Sequence, residues 1–285
     1  MLYGLIGILY RILGSKLSSQ LITTPLGKLV FLLMFKHKGL RSYQTKEHIL
    51  LRLYPVEALS FGIGLLGTYN EFETNIVKRR LKSGAVVIDI GAFLGWYSII
   101  AARIVGSLGK VYAFEPNPKQ VERLKESLFL NQAQQVHIVE AAASDKNGSA
   151  LFYDAESGSS LIKNEAEGHI GYKIKGFKVK TMTLDTFVKQ RGIRKVDFIK
   201  IDAEGADYLV LKGAAALLQK QTAPDLMVEV IDKELIRAGA SSSEVIEYLK
   251  GFGYTPYDFT SDGLRRYTGK ITTANLFFTK SIRRQ

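Results

Sequence analysis

Five apolar runs, each followed by a stretch of helical spacing, limit what this chain can fold into. They are VVIDI (86–90), KVYAF (110–114), VHIVEAA (136–142), VDFIKI (196–201) and DLMVEV (225–230). Helical patterns occupy 95–105, 117–130, 206–219 and 242–251. A strand that is apolar on both faces must be covered on both sides, and alternation with helices implies parallel pairing. The expected fold is therefore doubly wound, Rossmann-like α/β. The segments YTPYDF (254–259) and ANLFFTK (274–280) read as a closing antiparallel hairpin on a mainly parallel sheet.

Two stretches depart from the alternation. Between Asp145 and Thr183 the chain is rich in Gly, Ser and Lys, with alternating segments ALFYD and FKVKTMT, which suits an inserted β-hairpin. Ahead of the regular pattern lies an extension, residues 1–68, helical and then β. Residues 1–40 mix apolar patches with single cations, as short helices lying on an apolar surface do. From Leu50 to Leu66 β-branched, aromatic and glycine residues suggest a strand or hairpin, and Tyr69 to Leu81 reads as an amphipathic helix. The main domain is expected over 69–285.

Charge separates the ends from the middle. Residues 1–82 hold 12 Lys and Arg against 4 Asp and Glu, residues 83–264 hold 21 against 23, and residues 265–285 hold 6 against none. Any attraction to an anionic surface should map to the ends. With no cysteine, a disulfide framework, a Cys-ligated metal and a Cys nucleophile are excluded. The four histidines (His37, His48, His137, His169) show no metal-ligand spacing, so no metal is expected. No uncharged apolar run reaches the length of about 18 residues that a spanning helix requires. The first ten residues lack the basic start and small-residue cleavage site of a signal peptide. A cytoplasmic chain is expected, with peripheral membrane contact through residues 1–40 as an option.

The chemistry gathers at the strand ends. The first regular strand runs into Asp89-Ile90-Gly91-Ala92-Phe93-Leu94-Gly95 and then a helix. Glycines at such a turn let the backbone approach a ligand, and the helix start offers free N–H groups. The spacing is G-x-x-x-G, not the G-x-G-x-x-G that cradles a dinucleotide pyrophosphate. An acid just before the turn repels phosphate and attracts a cation. S-adenosylmethionine carries an ammonium and a sulfonium and no phosphate, so the local charge favours it over NAD. On the second strand, Glu115 follows Gly91 by 24 residues, where a carboxylate can accept both ribose hydroxyls of an adenosine. Asn117 lies two residues on. The third strand leads into Ala142 and Asp145, small residues for an adenine ring with Ser144 or Asp145 near its amino edge. The fourth places Asp202 and Glu204 at its carboxyl end, the edge where open α/β sheets bind ligands.

The series VVIDIGAFLGWYS, VYAFEPNP, AAASDKNG, TLDTFV, VDFIKIDAEGADYLVLKGA and DLMVEV resembles the FkbM family of class I S-adenosylmethionine-dependent methyltransferases. The likeness covers about residues 69–231. It implies that Asp89, Gly91 and Gly95, with Ala92 in the same turn, hold the methionine end, Glu115 the ribose and the Ala142 region the adenine. Tyr69-Asn70-Glu71-Phe72-Glu73 resembles the family's acidic lead into the helix before the first strand, where one carboxylate closes over the cofactor. In many members the Glu directly follows the aromatic; here Asn70 intervenes. The resemblance also implies O-methylation of a sugar, glycan or secondary-metabolite hydroxyl, with Asp202 or Glu204 orienting or deprotonating it. Nucleic acid is not the expected partner. The alternatives are an NAD-dependent oxidoreductase and a non-catalytic scaffold whose basic ends bind an anionic surface or RNA.

Overall fold

Val87 and Ile88 are neighbours in sequence and belong to different cores. In the computed structural model, which describes residues 42–54, 58–154, 159–162, 175–270 and 274–280, Val87 packs with Ile99, Ala102 and Leu124. Ile88 and Ile90 pack with Leu211, Leu217 and Leu226 on the opposite side. Successive side chains of a strand point to opposite faces, so this strand divides two helical layers. Each large aliphatic residue buried this way contributes roughly 1.5–3 kcal/mol.

In chain order the first elements are β1 (Tyr43–Gln44), β2 (Leu50–Leu51), α1 (Ala58–Leu66) and α2 (Glu71–Arg80). The first half of the sheet follows: β3 (Val86–Ile90), α3 (Trp96–Val105), β4 (Lys110–Phe114), α4 (Pro118–Leu130) and β5 (Val136–Val139). Next come β6 (Ala142–Ala143), β7 (Gly148–Asp154), β8 (Lys175–Met182) and α5 (Leu184–Gln190). The second half is β9 (Phe198–Ile201), α6 (Asp207–Lys212), α7 (Ala215–Gln219), β10 (Asp225–Glu229), α8 (Asp232–Leu235) and α9 (Ser242–Gly251). The described chain closes with β11 (Thr255–Thr260), β12 (Gly263–Arg266) and β13 (Asn275–Thr279).

The main sheet has the order β12-β11-β13-β10-β9-β3-β4-β5. The five strands β5, β4, β3, β9 and β10 run parallel. β13 lies antiparallel between β10 and β11, and β12 pairs antiparallel with β11 at the edge. From β3 the chain moves outward to β4 and β5, then returns to lay β9 on the other side of β3. That reversal opens a crevice at the carboxyl ends of β3, β4 and β9. The architecture is the Rossmann-like α/β fold expected, with the closing antiparallel unit enlarged by β12.

Three expectations need correction. Residues 58–66, expected in a strand or hairpin, form α1; a short apolar run has no period to tell strand from buried helix, and Ser60 and Ile63 are wholly enclosed. The third strand stops at Val139, where Ala141 N–H turns back to the Val139 carbonyl at 2.8 Å, and Ala142–Ala143 joins β7 and β8 in a separate three-stranded sheet. The helix expected over 206–219 is two helices. At Gly213 the chain passes so close to the Ser144 carbonyl that a Cβ would lie 2.0 Å from its oxygen. The next helix is capped from outside, both Asp185 carboxylate oxygens accepting N–H bonds from Ala216 and Leu217.

The expected inserted hairpin is present as the seven-residue β7–β8 pairing. The described part of the N-terminal extension joins the main core: Ile49, Leu51, Leu53 and Ile63 pack in the same cluster as Val87. Asn131, at the end of α4, pins β2 by accepting from Leu50 N at 3.0 Å and donating to Leu50 O at 2.7 Å. The helices expected within 1–40 lie outside the described residues. No helix among the described residues is long and apolar enough to cross a membrane.

Candidate active site

The turn after β3 is built on left-handed backbone. Gly91 has φ +69°, Phe93 +49° and Gly95 +86°. A Cβ on Gly91 would lie 1.9 Å from the Asp202 carbonyl oxygen, so only glycine lets this turn touch the end of β9. The Gly91 and Ala92 N–H groups both donate to the Phe114 carbonyl at 3.1 Å, tying the turn to β4. Gly95 starts α3 and faces Leu124 of α4, where a Cβ would be 2.6 Å from Cδ1.

Glu115, directly after β4, reaches into the same turn. Its Oε2 accepts the Phe93 N–H and its Oε1 the Asn117 N–H, both at 3.0 Å. The residue is 5% exposed, and burial, outweighing those two hydrogen bonds, pushes its pKa up to about 7. Asn117 serves the helix instead: its Oδ1 accepts from Lys119 N at 3.0 Å, with Pro118 at the first helical position.

Asp89 sits below the turn, 1% exposed, on the face covered by α3. Ser98 Oγ donates to its Oδ2 at 2.6 Å, and Lys200 Nζ stands 3.7 Å from its Oδ1. Burial raises its pKa against the opposing pull of Lys200 and Ser98. Lys200 donates to the carbonyls of Ile90 (3.1 Å) and Gly91 (3.0 Å) and to Asp202 Oδ2 (3.2 Å). Burial alone would weaken the Lys200 hold on its proton, but Asp202 and Asp89 beside it win and raise its pKa.

A cavity opens above these groups at the crevice. Gly91, Glu115, Ala142, Asp202 and Glu204, all candidates from the sequence, line it. Asp89, Ala92, Gly95 and Asn117 form the layer beneath; Glu71 is exposed on α2, and Asp145 accepts from Ser144 Oγ at 3.2 Å away from the lining. Tyr69, Phe93 and Gln120 line the cavity without having been read as site residues. Tyr69 is set there by Asn70, whose φ of +41° turns the chain into α2. Its ring meets Trp96 and Tyr97 edge-on at 6.1 and 6.2 Å.

The loop after β9 is acidic throughout. Asp207 Oδ1 and Oδ2 accept the N–H groups of Ala203 and Gly205 at 2.8 and 3.0 Å, so Asp207, not Asp202 or Glu204, stiffens this loop. Glu204 has a left-handed backbone, φ +53°, and carboxylate oxygens of Glu204, Glu229 and Glu234 lie within 4.8 Å of one another. Burial, then the charges of Asp202 and Glu204, raises the Glu229 pKa well above the carboxylate range. Every charged side chain lining the cavity among the described residues is an acid: Glu115, Asp202 and Glu204. Such a donor set does not suit a pyrophosphate and suits a ligand that brings hydroxyls and positive charge.

A family model described as the methyltransferase FkbM domain matches residues 89–256. The chain belongs to the FkbM methyltransferase family. It is similar to the 2-O-methyltransferase NoeI of Sinorhizobium fredii, 27% identical over 191 residues, which span 62% of this chain and 76% of NoeI. It is also similar to the hexuronic acid methyltransferase AglP of Haloferax volcanii, 25% identical over 150 residues, 52% of this chain and 58% of AglP. Among solved structures, an S-adenosylmethionine-dependent O-methyltransferase from Thermotoga maritima aligns at 18% identity and TM-score 0.40, covering 76% of this chain and 68% of that one. This FkbM-family protein is a methyltransferase whose cofactor is S-adenosylmethionine, and the acid-only charge of the cavity fits that cofactor.

Proposed function

We propose that this methyltransferase methylates a hydroxyl of a sugar or glycan. The reading rests on one observation: Asp202 and Glu204 face the same cavity as Glu115, from the strand end on the other side of the glycine turn. The names of the relatives NoeI and AglP, a 2-O-methyltransferase and a hexuronic acid methyltransferase, support an oxygen acceptor on a carbohydrate.

When bound, S-adenosylmethionine supplies an electrophilic methyl group on a sulfonium. The chain's own part is positioning and proton handling. Glu115 keeps lone pairs beyond its two backbone bonds and would accept the ribose hydroxyls. The Gly91 turn would hold the methionine end, and Ala141, Ala142 and Ala143 would give the adenine a flat wall. Asp202 has its Oδ2 engaged by Lys200, which leaves Oδ1 to take the acceptor's hydroxyl proton, and the oxygen would bond the methyl carbon as the sulfur–methyl bond breaks, the neutral thioether leaving with its electron pair. Glu204 holds a neighbouring hydroxyl.

Incubation with labelled S-adenosylmethionine and a fractionated glycan pool tests this reading. Label in an alkali-stable ether on a sugar supports it; label only in protein, nucleic acid or amines rejects it. The reading includes a peripheral membrane contact through residues 1–40, supported by their apolar patches and single cations. Flotation on anionic vesicles, full-length against a version starting at Tyr43, tests that part, and equal behaviour removes it.

A further inference from the structure

One lysine interrupts an otherwise apolar central strand. Phe198, Ile199, Lys200 and Ile201 of β9 are all buried, Lys200 at 4% exposure. An ammonium in such a place is costly to desolvate, and an apolar side chain of like volume would pack there at less cost. Its presence there calls for a reason beyond packing. A lysine has three protons to donate. Here three oxygens receive them: the carbonyls of Ile90 and Gly91 and Oδ2 of Asp202. Asp89 Oδ1 stands 3.7 Å away, and the Tyr97 ring lies 5.7 Å from Nζ.

The three acceptors belong to two different walls of the cavity. Ile90 is the last residue of β3 paired with β4 and β9, and Gly91 follows it, so both carbonyls stand at the carboxyl end of the strand. Asp202 is the first residue after β9. The two walls already touch through backbone, since no Cβ separates Gly91 from the Asp202 carbonyl. That contact is van der Waals and sets distance, not orientation. The ammonium adds orientation, because its three bonds fix both carbonyls and one carboxylate oxygen about a single nitrogen.

We infer that Lys200 is a positioning residue that locks the glycine turn to Asp202, holding the methionine-end wall and the acceptor-side carboxylate in one arrangement. The inference rests on the methyl-transfer reading of the cavity. The alanine wall pairs within the sheet of β6, and Glu115 follows β4 directly and takes the Asn117 N–H on Oε1, contacts that do not involve Lys200, although its Oε2 also accepts the Phe93 N–H of the turn. Loss of the ammonium should therefore disturb one end of the cofactor site and spare the other.

The test compares two probes by calorimetric titration: S-adenosylhomocysteine, and 5′-methylthioadenosine, which shares the adenosine and thioether but lacks the amino-acid end. Because the Lys200 charge also helps hold down the Glu115 pKa of about 7, the titrations are run at pH 8.5, where Lys200→Met should weaken S-adenosylhomocysteine tenfold or more and leave methylthioadenosine within twofold. A lysine that served only folding would change both alike. Because Lys200→Met strands the buried Asp89, the double variant Asp89→Asn/Lys200→Met, which removes both charges, is measured beside it and should show the same split. Equal loss for both probes, or no loss for either, overturns the inference alone. Failure of the wild type to bind S-adenosylhomocysteine overturns the methyl-transfer reading and the inference with it.

Discussion

The Phe93 backbone N–H donates to Glu115 Oε2 at 3.0 Å, so the residue proposed to grip a ribose also holds the glycine turn in its left-handed course. One carboxylate serves two walls, and its protonation governs both.

Glu115 has a pKa pushed up to about 7 in the free protein. Ribose hydroxyls donate to the ionised form, so S-adenosylhomocysteine should bind more tightly as pH rises. With the ionised fraction going from roughly a tenth at pH 6 to nine-tenths at pH 8, affinity should rise about tenfold. Glu115→Gln should flatten that rise. Titrations at the two pH values check it, and a rise of the same size in the variant contradicts it.

The same shift has the opposite sign for folding. A carboxyl whose folded pKa lies above its unfolded value favours the native state below about pH 4.5, and that contribution is lost as pH climbs to about 7. For Glu115 the loss is on the order of 3 kcal/mol. Burial raises the Asp207 pKa too, and it acts in the same direction. Urea midpoints of wild type and Glu115→Gln at pH 5 and pH 7.5 should show the variant gaining stability relative to wild type at the higher pH.

Two glycine substitutions should differ in sign. Gly91→Ala forces a Cβ against the Asp202 carbonyl at φ +69° and should cost about 2 kcal/mol or more. Gly251, the last residue of α9, has nothing within 4 Å of an added Cβ and an ordinary φ, so Gly251→Ala should stabilise by about 0.5–1 kcal/mol. Urea denaturation of each variant decides; a neutral Gly91→Ala would show that the turn and β9 are not in contact.

Asp202→Asn should lower kcat for the carbohydrate acceptor by roughly 10²-fold or more, the usual contribution of a positioned general base. Glu204→Gln, which removes a charge without removing that base, should act mainly on KM. Single-turnover transfer of labelled methyl separates the two, and a larger kcat loss in Glu204→Gln would exchange their roles.

Much of this arrangement is legible in the sequence. The strands around Val87, Val111 and Ile199 announce themselves because both faces are buried, and Glu115 follows from its place at a strand end. Asp89 lies beneath the cavity and not on its lining. Strand alternation puts it on the side of Val87, under α3, and its partner Lys200 is distant in sequence; the lone lysine in FIKI was the available signal. Tyr69 and Glu71 exchange expected places because Asn70 adopts a left-handed turn that no periodicity displays. The break at Gly213 answers to a carbonyl of Ser144, a contact made only once the sheet is assembled.

The most direct measurement of the central claim is calorimetric titration of wild type and Glu115→Ala with S-adenosylhomocysteine, with NAD as the comparison ligand. Wild type should bind saturably, the variant should lose roughly tenfold or more, as expected for hydrogen bonds to a charged group, and neither protein should bind NAD. Undiminished affinity in Glu115→Ala, or preference for NAD in the wild type, would contradict that claim.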